Sequence, residues 1–250
     1  MGGIKDAPVI TRGKPVVRLA TLDDLDAMVN VDLRAFADVY GSPPDPMTVT
    51  SVRARYADLL GLIGSWCRVL ETASGEVVGL KQCFPIGLSH AELVERFEQG
   101  LDTTDIDVIR SLFDPTGTAM YGLNLAVLGG HVGSGTLYLD AGMRAMTRAH
   151  GIRHVYFRSR LVGFARWLAE RCPDIDPEEL PKASRDALAE RYCRSTVRRG
   201  GVDRPADPLL AMHIDTGCKP LSLVSGWPLD RPALGYSVLF ERALGHEQAT

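Results

Sequence analysis

The sequence lacks the features that define several classes of protein. It has no run of about 20 apolar residues of the kind that crosses a bilayer, and the residues after Met1 do not form the apolar stretch of a signal peptide. Positive charge is not in excess, since 28 Lys and Arg face 31 Asp and Glu, for a formal net charge of −3. A nucleic-acid-binding surface needs a basic excess. We therefore expect a cytoplasmic protein without membrane or nucleic-acid partners.

Cysteine is also sparse. The five cysteines are odd in number and far apart, and none forms a Cys-x-x-Cys pair; they are Cys67, Cys83, Cys172, Cys193 and Cys218. Disulfide frameworks and zinc sites need even or closely spaced sets. We expect reduced, buried thiols, as in a cytoplasmic protein, and no metal cofactor.

The composition is that of an ordinary globular protein, with 45% hydrophobic and 24% charged residues. A length of 250 residues fits one large domain. We expect a loose arm over residues 1–14 and a single domain over residues 15–250.

Hydrophobic periodicity and turn signals predict alternating strands and helices. Thr21, followed by Asp23 and Asp24, is typical of a helix N-cap with acids in the first turn. The predicted strands are 16–19, 67–71, 76–84, 121–128, 154–157, 221–224 and 236–241, and the predicted helices are 22–40, 47–60, 90–99 and 208–216, with 101–117 irregular. This alternation predicts an α/β protein with a mixed sheet flanked by helices.

A glycine-rich segment, residues 129–135, lies between the apolar strand 121–128 and a further helix. The core side of that helix is predicted to carry Leu137, Leu139, Met143 and Met146, and the helix to end at His150-Gly151. Glycines let backbone N–H groups point at an anion, and a helix N-terminus adds favourable partial charge. The dinucleotide and Walker patterns are absent. Two interpretations of this segment remain, a phosphate-binding loop and a tight turn.

Three segments resemble the GCN5-related N-acetyltransferase (GNAT) superfamily. Residues 17–24 resemble its opening strand and helix. Gly130-His-Val-Gly-Ser-Gly135 resembles its pyrophosphate loop, which is written Gln/Arg-x-x-Gly-x-Gly/Ala, and Met212–Cys218 resembles a late helix that usually reads Phe-Tyr-x-x-x-Gly-Phe. The resemblance implies a GNAT fold, with a mixed, mostly antiparallel sheet. Residues 161–206 would be a helical insertion on the acceptor side.

The resemblance also implies a cosubstrate, acetyl-CoA or another acyl-CoA. Its pantetheine arm would run between the strands 121–128 and 154–159, and the thioester carbonyl would meet a backbone N–H near residues 124–126. The implied cofactor-binding residues are Leu125, Val127, Gly130, His131, Val132, Gly133, Ser134, Gly135 and Thr136. Gly130 stands where the motif has Gln or Arg.

Three residues are candidates for catalysis. His213 replaces the late-helix tyrosine that often reprotonates the departing thiolate, and with an ordinary pKa near 6.5 it could act as an acid; it could also be a partly buried surface histidine. Ser159 closes a strand beside the expected thioester, or is an ordinary strand-end serine. Asn124 lies in an apolar strand, so its amide needs a partner, which could be structural.

Four further segments, 158–164, 207–213, 226–230 and 234–239, resemble an atypical branch of the superfamily. That branch includes polyketide-synthase loading domains and acetyltransferase-like domains attached to amidases. The loading domains look like enzymes that decarboxylate malonyl-type thioesters with a threonine and a histidine. Ser159 and His213 would stand at those two places.

Three functions follow from these resemblances. The first is an acetyltransferase of specialised metabolism that transfers an acyl group to the amine of a small-molecule acceptor. The second is a malonyl-type decarboxylase or S-acyltransferase that acts with an acyl carrier protein, and the third is a non-catalytic acyl-CoA-binding module. A homodimer is possible in each. Arginines of the insertion form either a solvated face or a docking site for an acidic partner; they are Arg191, Arg194, Arg198, Arg199 and Arg204.

Overall fold

The structure is a computed structural model that describes residues 14–226 and 230–244. The strands are β1 (Val16–Leu19), β2 (Cys67–Glu71), β3 (Val77–Ile86), β4 (Ala119–Val127), β5 (His154–Arg160), β6 (Thr196–Arg199), β7 (Val202–Pro205), β8 (Lys219–Ser225) and β9 (Tyr236–Ala243). The helices are α1 (Leu25–Ala35), α2 (Ala37–Tyr40), α3 (Pro46–Ile63), α4 (His90–Glu98), α5 (Ile106–Leu112), α6 (Ser134–Ala149), α7 (Phe164–Arg171), α8 (Lys182–Cys193) and α9 (Pro208–Asp215).

Seven strands form one sheet in the order β1-β2-β3-β4-β5-β9-β8, and β6 and β7 form a separate hairpin. Only β4 and β5 run parallel; the other neighbours in the sheet are antiparallel. The predicted mixed, mostly antiparallel sheet flanked by helices is therefore confirmed.

Helices cover both faces of this sheet. Gln82 of β3 is paired with Asn124 of β4, and Asn124 contacts Asp32 of α1. Lys81, the neighbour of Gln82, forms an ion pair with Asp140 of α6. Because successive side chains of a strand point to opposite faces, α1 lies on one face and α6 on the other.

The two parallel strands separate halfway along their length. β4 and β5 are paired from Ala119 with His154 to Gly122 with Phe157. Beyond that point β4 remains paired with β3, and β5 remains paired with β9. At the same place β4 has one residue more than β3, because Gln82 faces Asn124 while Cys83 faces Gly122. Such a bulge bends a strand, and here it accompanies an opening between residues 123–127 and residues 158–160.

Several local predictions need correction. The predicted helix 22–40 is a 3-10 turn followed by α1 and α2, with a break at Phe36 (φ −112°, ψ 34°). The segment predicted as irregular contains α5, whose N-cap Asp105 accepts a hydrogen bond from Asp107 N. Leu137 was expected in the core but is 69% exposed. Leu139, Met143 and Met146 are buried as predicted, and the buried side of α6 begins with Gly135, which lies opposite Leu137 on a helix.

The helices predicted for the insertion are present as α7 and α8, and the β6–β7 hairpin was not predicted. Phe164 of α7 stacks on Tyr192 of α8 and meets Tyr236 of β9 edge-on. Together with Trp167 and Phe240 these rings belong to a second buried cluster. The insertion is therefore part of the core and cannot be removed without exposing β9. Its relation to an acceptor stays a prediction.

The remaining expectations concern the thiols and the termini. All five cysteines are free, and Cys67, Cys83 and Cys218 are buried. The expected arm up to residue 13, and residues 227–229 of the segment 226–230, lie outside the described residues. Among the helices that the structure describes, none is long and apolar enough to cross a membrane.

Candidate active site

The opening between β4 and β5 is approached by different elements on the two faces of the sheet. On the α6 face, α9 brings His213 against Phe157 of β5. On the α1 face, the corner between α1 and α2 brings Asp32 to Asn124 of β4 and Asp38 to Arg160 of β5. The α1-face contacts thus meet the unpaired halves of the two strands, and His213 meets the last paired residue of β5, at the edge of the opening.

The position of His213 follows from how α9 begins. Asp207, a buried N-cap residue, accepts hydrogen bonds from the backbone N–H groups of Leu209 and Leu210, both at 3.0 Å. Pro208 occupies the first turn, where its missing N–H is no loss. The helix is two turns long, so His213 lies in its last turn, with its ring 4.8 Å from the ring of Phe157.

The environment of His213 keeps its imidazole neutral. The ring is half-buried and also lies 5.1 Å from the ring of Phe240. Burial lowers the pKa of His213 to about 4, and the charges of Lys81 and Arg242 act in the same direction against that of Asp140. The expectation of an ordinary pKa near 6.5 was therefore wrong. At pH 7 only about one molecule in 10³ would carry the imidazolium, whereas the neutral ring still has one N–H donor.

Ser159 lies on the same face of β5 as Phe157, because the two residues are separated by one position along the strand. It is paired with Val238 of β9 and is 6% exposed. Its hydroxyl has no hydrogen-bond partner among the residues described. A hydroxyl donor therefore lies on the same face of β5 as Phe157, the residue whose ring His213 contacts. Its catalytic role stays a prediction.

Asn124 has the partners that its burial required. Its amide nitrogen donates to Asp32 Oδ1 at 2.7 Å and to the Tyr56 hydroxyl at 2.8 Å. Both donors of the amide are thus used by α1 and α3. The backbone of Asn124, Leu125 and Val127 lies in the stretch of β4 that has lost its β5 neighbour. The proposed contact of this backbone with a thioester remains a prediction.

Arginine side chains line the α1 face of β5. Arg160 forms a bidentate ion pair with Asp230, at 2.5 and 2.7 Å, and a second ion pair with Asp38 at 2.8 Å. Arg158 donates to Thr103 Oγ1 at 3.1 Å and lies over the ring of Phe97. The charge of Arg160 is thus neutralised by two carboxylates.

The glycine-rich segment contains glycines of two kinds. Gly130 has open space where a Cβ would be, and Gly133 is the N-cap of α6 with φ +94°. Gly135 is packed: a Cβ there would lie 2.9 Å from side-chain atoms of both Leu70 and Val127. The close approach of α6 to the sheet therefore accounts for Gly135 without a phosphate.

The first turn of α6 has the donors that an anion would need. The first backbone hydrogen bond of the helix runs from Leu137 N to Gly133 O, so the N–H groups of Ser134, Gly135 and Thr136 precede the internal ladder. His131 and Val132 lie in the connecting turn. The described residues contain no group of three or more His, Cys, Asp or Glu side chains arranged to hold a metal ion. Phosphate binding by this turn stays a prediction.

Sequence reasoning missed Asp32, Asp38, Asp140 and Asp230. Asp32 could have been found, because it falls three and four residues after the buried Val29 and Met28 and so interrupts an apolar helix face with a charge. The ion pairs of the other three join segments far apart in the chain, and no local pattern indicates such pairs.

Comparison with known proteins agrees with this architecture. No protein-family profile matches the sequence, and no curated protein matches it significantly. Among solved structures, the GphF GNAT-like decarboxylase, in complex with isobutyryl-CoA, is 25% identical, with a TM-score of 0.60 over 92% of this chain and 100% of the other. The loading GNATL domain of CurA from Lyngbya majuscula is 17% identical, with a TM-score of 0.61 over 92% of this chain and 98% of that domain.

A third similar structure is a malonyl-CoA decarboxylase from Cupriavidus metallidurans. It is 15% identical, with a TM-score of 0.54, and the match covers 92% of this chain but 61% of the decarboxylase. At such identities the second and third comparisons speak for the fold alone. The central sheet, with its opening between β4 and β5, agrees with the fold that these structural matches indicate. The chain therefore has the GNAT fold, and its structure is similar to those of an atypical branch of that superfamily, the GNAT-like decarboxylase and loading domains.

Proposed function

We propose that the chain is an acyl-CoA-using enzyme that removes carbon dioxide from a malonyl-type CoA thioester. The pantetheine arm would lie in the opening between β4 and β5, and the pyrophosphate would meet the first turn of α6. The similarity to GphF, a GNAT-like decarboxylase bound to an acyl-CoA, extends over nearly the whole of both chains and supports this choice of substrate class.

The observation that carries the proposal is the neutral, half-buried His213 beside the opening. When the bond between the α-carbon and the carboxylate breaks, its electron pair moves onto the thioester oxygen and carbon dioxide leaves. A neutral imidazole N–H and the Ser159 hydroxyl could both donate to that developing oxyanion. Neither group carries a charge that would stabilise the substrate carboxylate, so the stabilisation favours the transition state.

The same observation disfavours the acid role first expected of His213. An acid that protonates a departing thiolate must hold an extra proton at working pH, and a pKa of about 4 leaves very few molecules in that form. Acetyl transfer to an amine is nevertheless the second candidate. It is favoured by the buried carboxylate of Asp32, whose pKa is raised by burial and which could accept the proton of an attacking amine through a partner side chain.

The test follows carbon dioxide and free thiol in separate incubations with malonyl-CoA, methylmalonyl-CoA and acetyl-CoA. We expect carbon dioxide from a malonyl-type substrate without release of free CoA. Loss of one oxyanion donor costs about 10²–10³-fold in kcat, so His213→Ala, which has no side-chain donor, should lower kcat by that factor. His90, which is exposed at the start of α4, provides the matched control His90→Ala, with unchanged rate.

Three outcomes would contradict the proposal. Thiol release from acetyl-CoA that requires an added amine, without any carbon dioxide from the malonyl-type substrates, would establish acetyl transfer. Tight acyl-CoA binding without turnover would indicate a binding module. A His213→Ala variant with wild-type kcat on a confirmed substrate would remove this residue from the mechanism.

A further inference from the structure

Tyr40 and Asp32 form a hydrogen-bonded pair on the α1 face of the opening. The Tyr40 hydroxyl lies 3.3 Å from Asp32 Oδ2, while Asp32 Oδ1 accepts a hydrogen bond from Asn124 on the unpaired half of β4. Tyr40 closes the short helix α2. Two residues earlier, Asp38 ties that helix to Arg160, on the unpaired half of β5. The pair therefore stands where α2 bridges the two separated strands.

This pair and His213 lie on opposite faces of the sheet. Asn124 points to the α1 face, and so does Arg160, since Ser159 and Phe157 point to the α9 side and side chains alternate along β5. An enolate in the opening, with its oxygen held by donors from the α9 side, could thus be reached by Tyr40 from the α1 side. Tyr40 is only partly buried, whereas Tyr56, the other phenol of this network, is fully buried.

Asp32 is a carboxyl group that can hold a proton. It is 1% exposed and makes no ion pair with any described residue. The groups that face it are Tyr40 of α2, Arg55 and Tyr56 of α3 and Asn124 of β4. Hydrogen bonds from the two phenols and the amide, and the charge of Arg55, favour the carboxylate, but burial prevails and raises the pKa of Asp32. Burial also raises the pKa of Tyr40, so its phenol stays protonated.

We propose that Tyr40 donates the proton that replaces the lost carboxyl group at the α-carbon, and that Asp32 resupplies this proton to Tyr40. The proposal rests on the decarboxylation proposed above. It accounts for the second half of the reaction, the protonation of the α-carbon. His213 and Ser159 do not perform this half, because they donate hydrogen bonds to the enolate oxygen and leave the α-carbon without its proton. Tyr40 would be a catalytic residue, and Asp32 a positioning and proton-supplying residue.

The step balances as follows. The enolate electron pair forms the new bond from the α-carbon to hydrogen, and the Tyr40 O–H bond breaks. A proton held by Asp32 moves to the Tyr40 oxygen, and the Asp32 carboxylate regains a proton from solvent. The net reaction consumes one proton from solvent and releases one carbon dioxide for each thioester.

The stereochemistry of protonation distinguishes this role from a structural one. Wild-type protein is incubated with methylmalonyl-CoA in D₂O, and the configuration at C2 of the 2-deuteriopropionyl-CoA product is determined. A donor fixed on one face of the enolate yields one enantiomer, and we expect an excess above about 10:1. In Tyr40→Phe, water can protonate either face, so the product should approach a racemate.

Two further variants keep the test decisive. Asp32→Asn retains the shape of the side chain but cannot supply a proton, and it should also lower the enantiomeric excess. Tyr236→Phe is the matched control, because the Tyr236 hydroxyl of β9 donates to Asp186 of α8 at 2.7 Å and so forms a tyrosine–aspartate pair that involves neither α1 nor β4; it should leave the excess unchanged. Each variant is checked for folding by circular dichroism.

The outcomes separate this proposal from the function on which it rests. An unchanged excess in Tyr40→Phe, with carbon dioxide still released, overturns the role of Tyr40 and leaves decarboxylation standing. An equal loss of excess in Tyr236→Phe also overturns it. If wild-type protein releases no carbon dioxide from methylmalonyl-CoA, this proposal is overturned. Decarboxylation itself is overturned only if malonyl-CoA also releases no carbon dioxide.

Discussion

Arg160 and Asp230 form a bidentate ion pair that holds the segment before β9 against the open end of β5. The Asp230 carboxylate is 1% exposed, and it also accepts a hydrogen bond from the backbone N–H of Ala233. The guanidinium group extends from this pair to Asp38 on α2, whose side chain is 46% exposed. Arg160 thus joins three segments that are distant in sequence. Its ion pair with Asp230 is buried, and its ion pair with Asp38 is accessible to water.

The two acids should differ sharply in what they contribute to stability. Removal of one partner from a buried ion pair typically costs about 3–5 kcal/mol, and without Asp230 the largely buried guanidinium of Arg160 keeps the solvent-accessible Asp38 as its carboxylate partner. Loss of a solvent-accessible pair typically costs about 0–1 kcal/mol. We therefore expect Asp230→Ala to lower the free energy of unfolding by about 3 kcal/mol or more, and Asp38→Ala by less than about 1 kcal/mol, in urea titrations at pH 7. Equal effects would show that Arg160 is not held by Asp230 in this way.

Asn124 should be important for stability whether or not it takes part in catalysis. Asn124→Ala removes the donor to both Asp32 and Tyr56, and buried groups left without a partner cost about 1–3 kcal/mol. The matched control is Asn30→Ala, since Asn30 is exposed on α1 and its replacement should stay within about 0.5 kcal/mol. Thermal unfolding of the two variants tests this, and similar melting temperatures would contradict it.

Much of the fold could be predicted because its signals are local. The Thr21 cap, the β2–β3 hairpin and the apolar strand β4 each follow from residues that are close in sequence. α5 was missed because its N-cap Asp105 is surrounded by other polar residues, so the helix start did not stand out. The break at Phe36 and the β6–β7 hairpin depend on tertiary packing, which no local pattern encodes.

In the candidate site, too, features with local sequence signals could be predicted, and features that depend on tertiary packing could not. The position of His213 on a helix followed from Asp207-Pro208, whereas its pKa did not, because the burial beside Phe157 and Phe240 comes from strands elsewhere in the sequence. Gly135 was expected to contact phosphate because a glycine that permits close packing has the same sequence signal as one that cradles an anion.

The role of the glycine-rich loop can be tested at a position where packing is not disturbed. A Cβ added at Gly130 would have no neighbour within 4 Å, so Gly130→Ala should leave both stability and CoA affinity unchanged. Gly130→Glu places a negative charge where the pyrophosphate is expected. We expect the affinity for acetyl-CoA in calorimetric titrations to fall about tenfold or more, which corresponds to about 1.4 kcal/mol. Unchanged affinity in Gly130→Glu would mean that the segment is only a turn.

Gly135 requires a different expectation. Gly135→Ala brings a methyl group against Leu70 and Val127, and overpacking of this kind typically costs about 1–3 kcal/mol. The variant should therefore melt at a lower temperature. A loss of CoA affinity in this variant alone would not identify a phosphate site, and the comparison with Gly130→Glu is needed.

The pKa of His213 predicts how stability depends on pH. Its pKa is about 4 in the folded protein and about 6.5 in an unfolded chain. Above pH 6.5 the imidazole is neutral in both states and contributes nothing to the pH dependence. Between pH 6.5 and 4 the unfolded chain binds a proton that the folded protein does not, so the free energy of unfolding falls as the pH falls. A difference of this size corresponds to at most about 3 kcal/mol.

His213→Gln should remove this part of the pH dependence. We expect wild-type protein to lose more stability than the variant between pH 7.5 and pH 5.0, by about 1–2 kcal/mol in urea titrations, while His90→Gln behaves as the wild type. The pH profile of kcat should also contain no step between pH 6 and 8 that arises from His213, because the neutral form of His213 persists throughout this range. A step with a midpoint near pH 6.5 that disappears in His213→Gln would show that the imidazole titrates normally, and the assignment of a neutral donor would then be wrong.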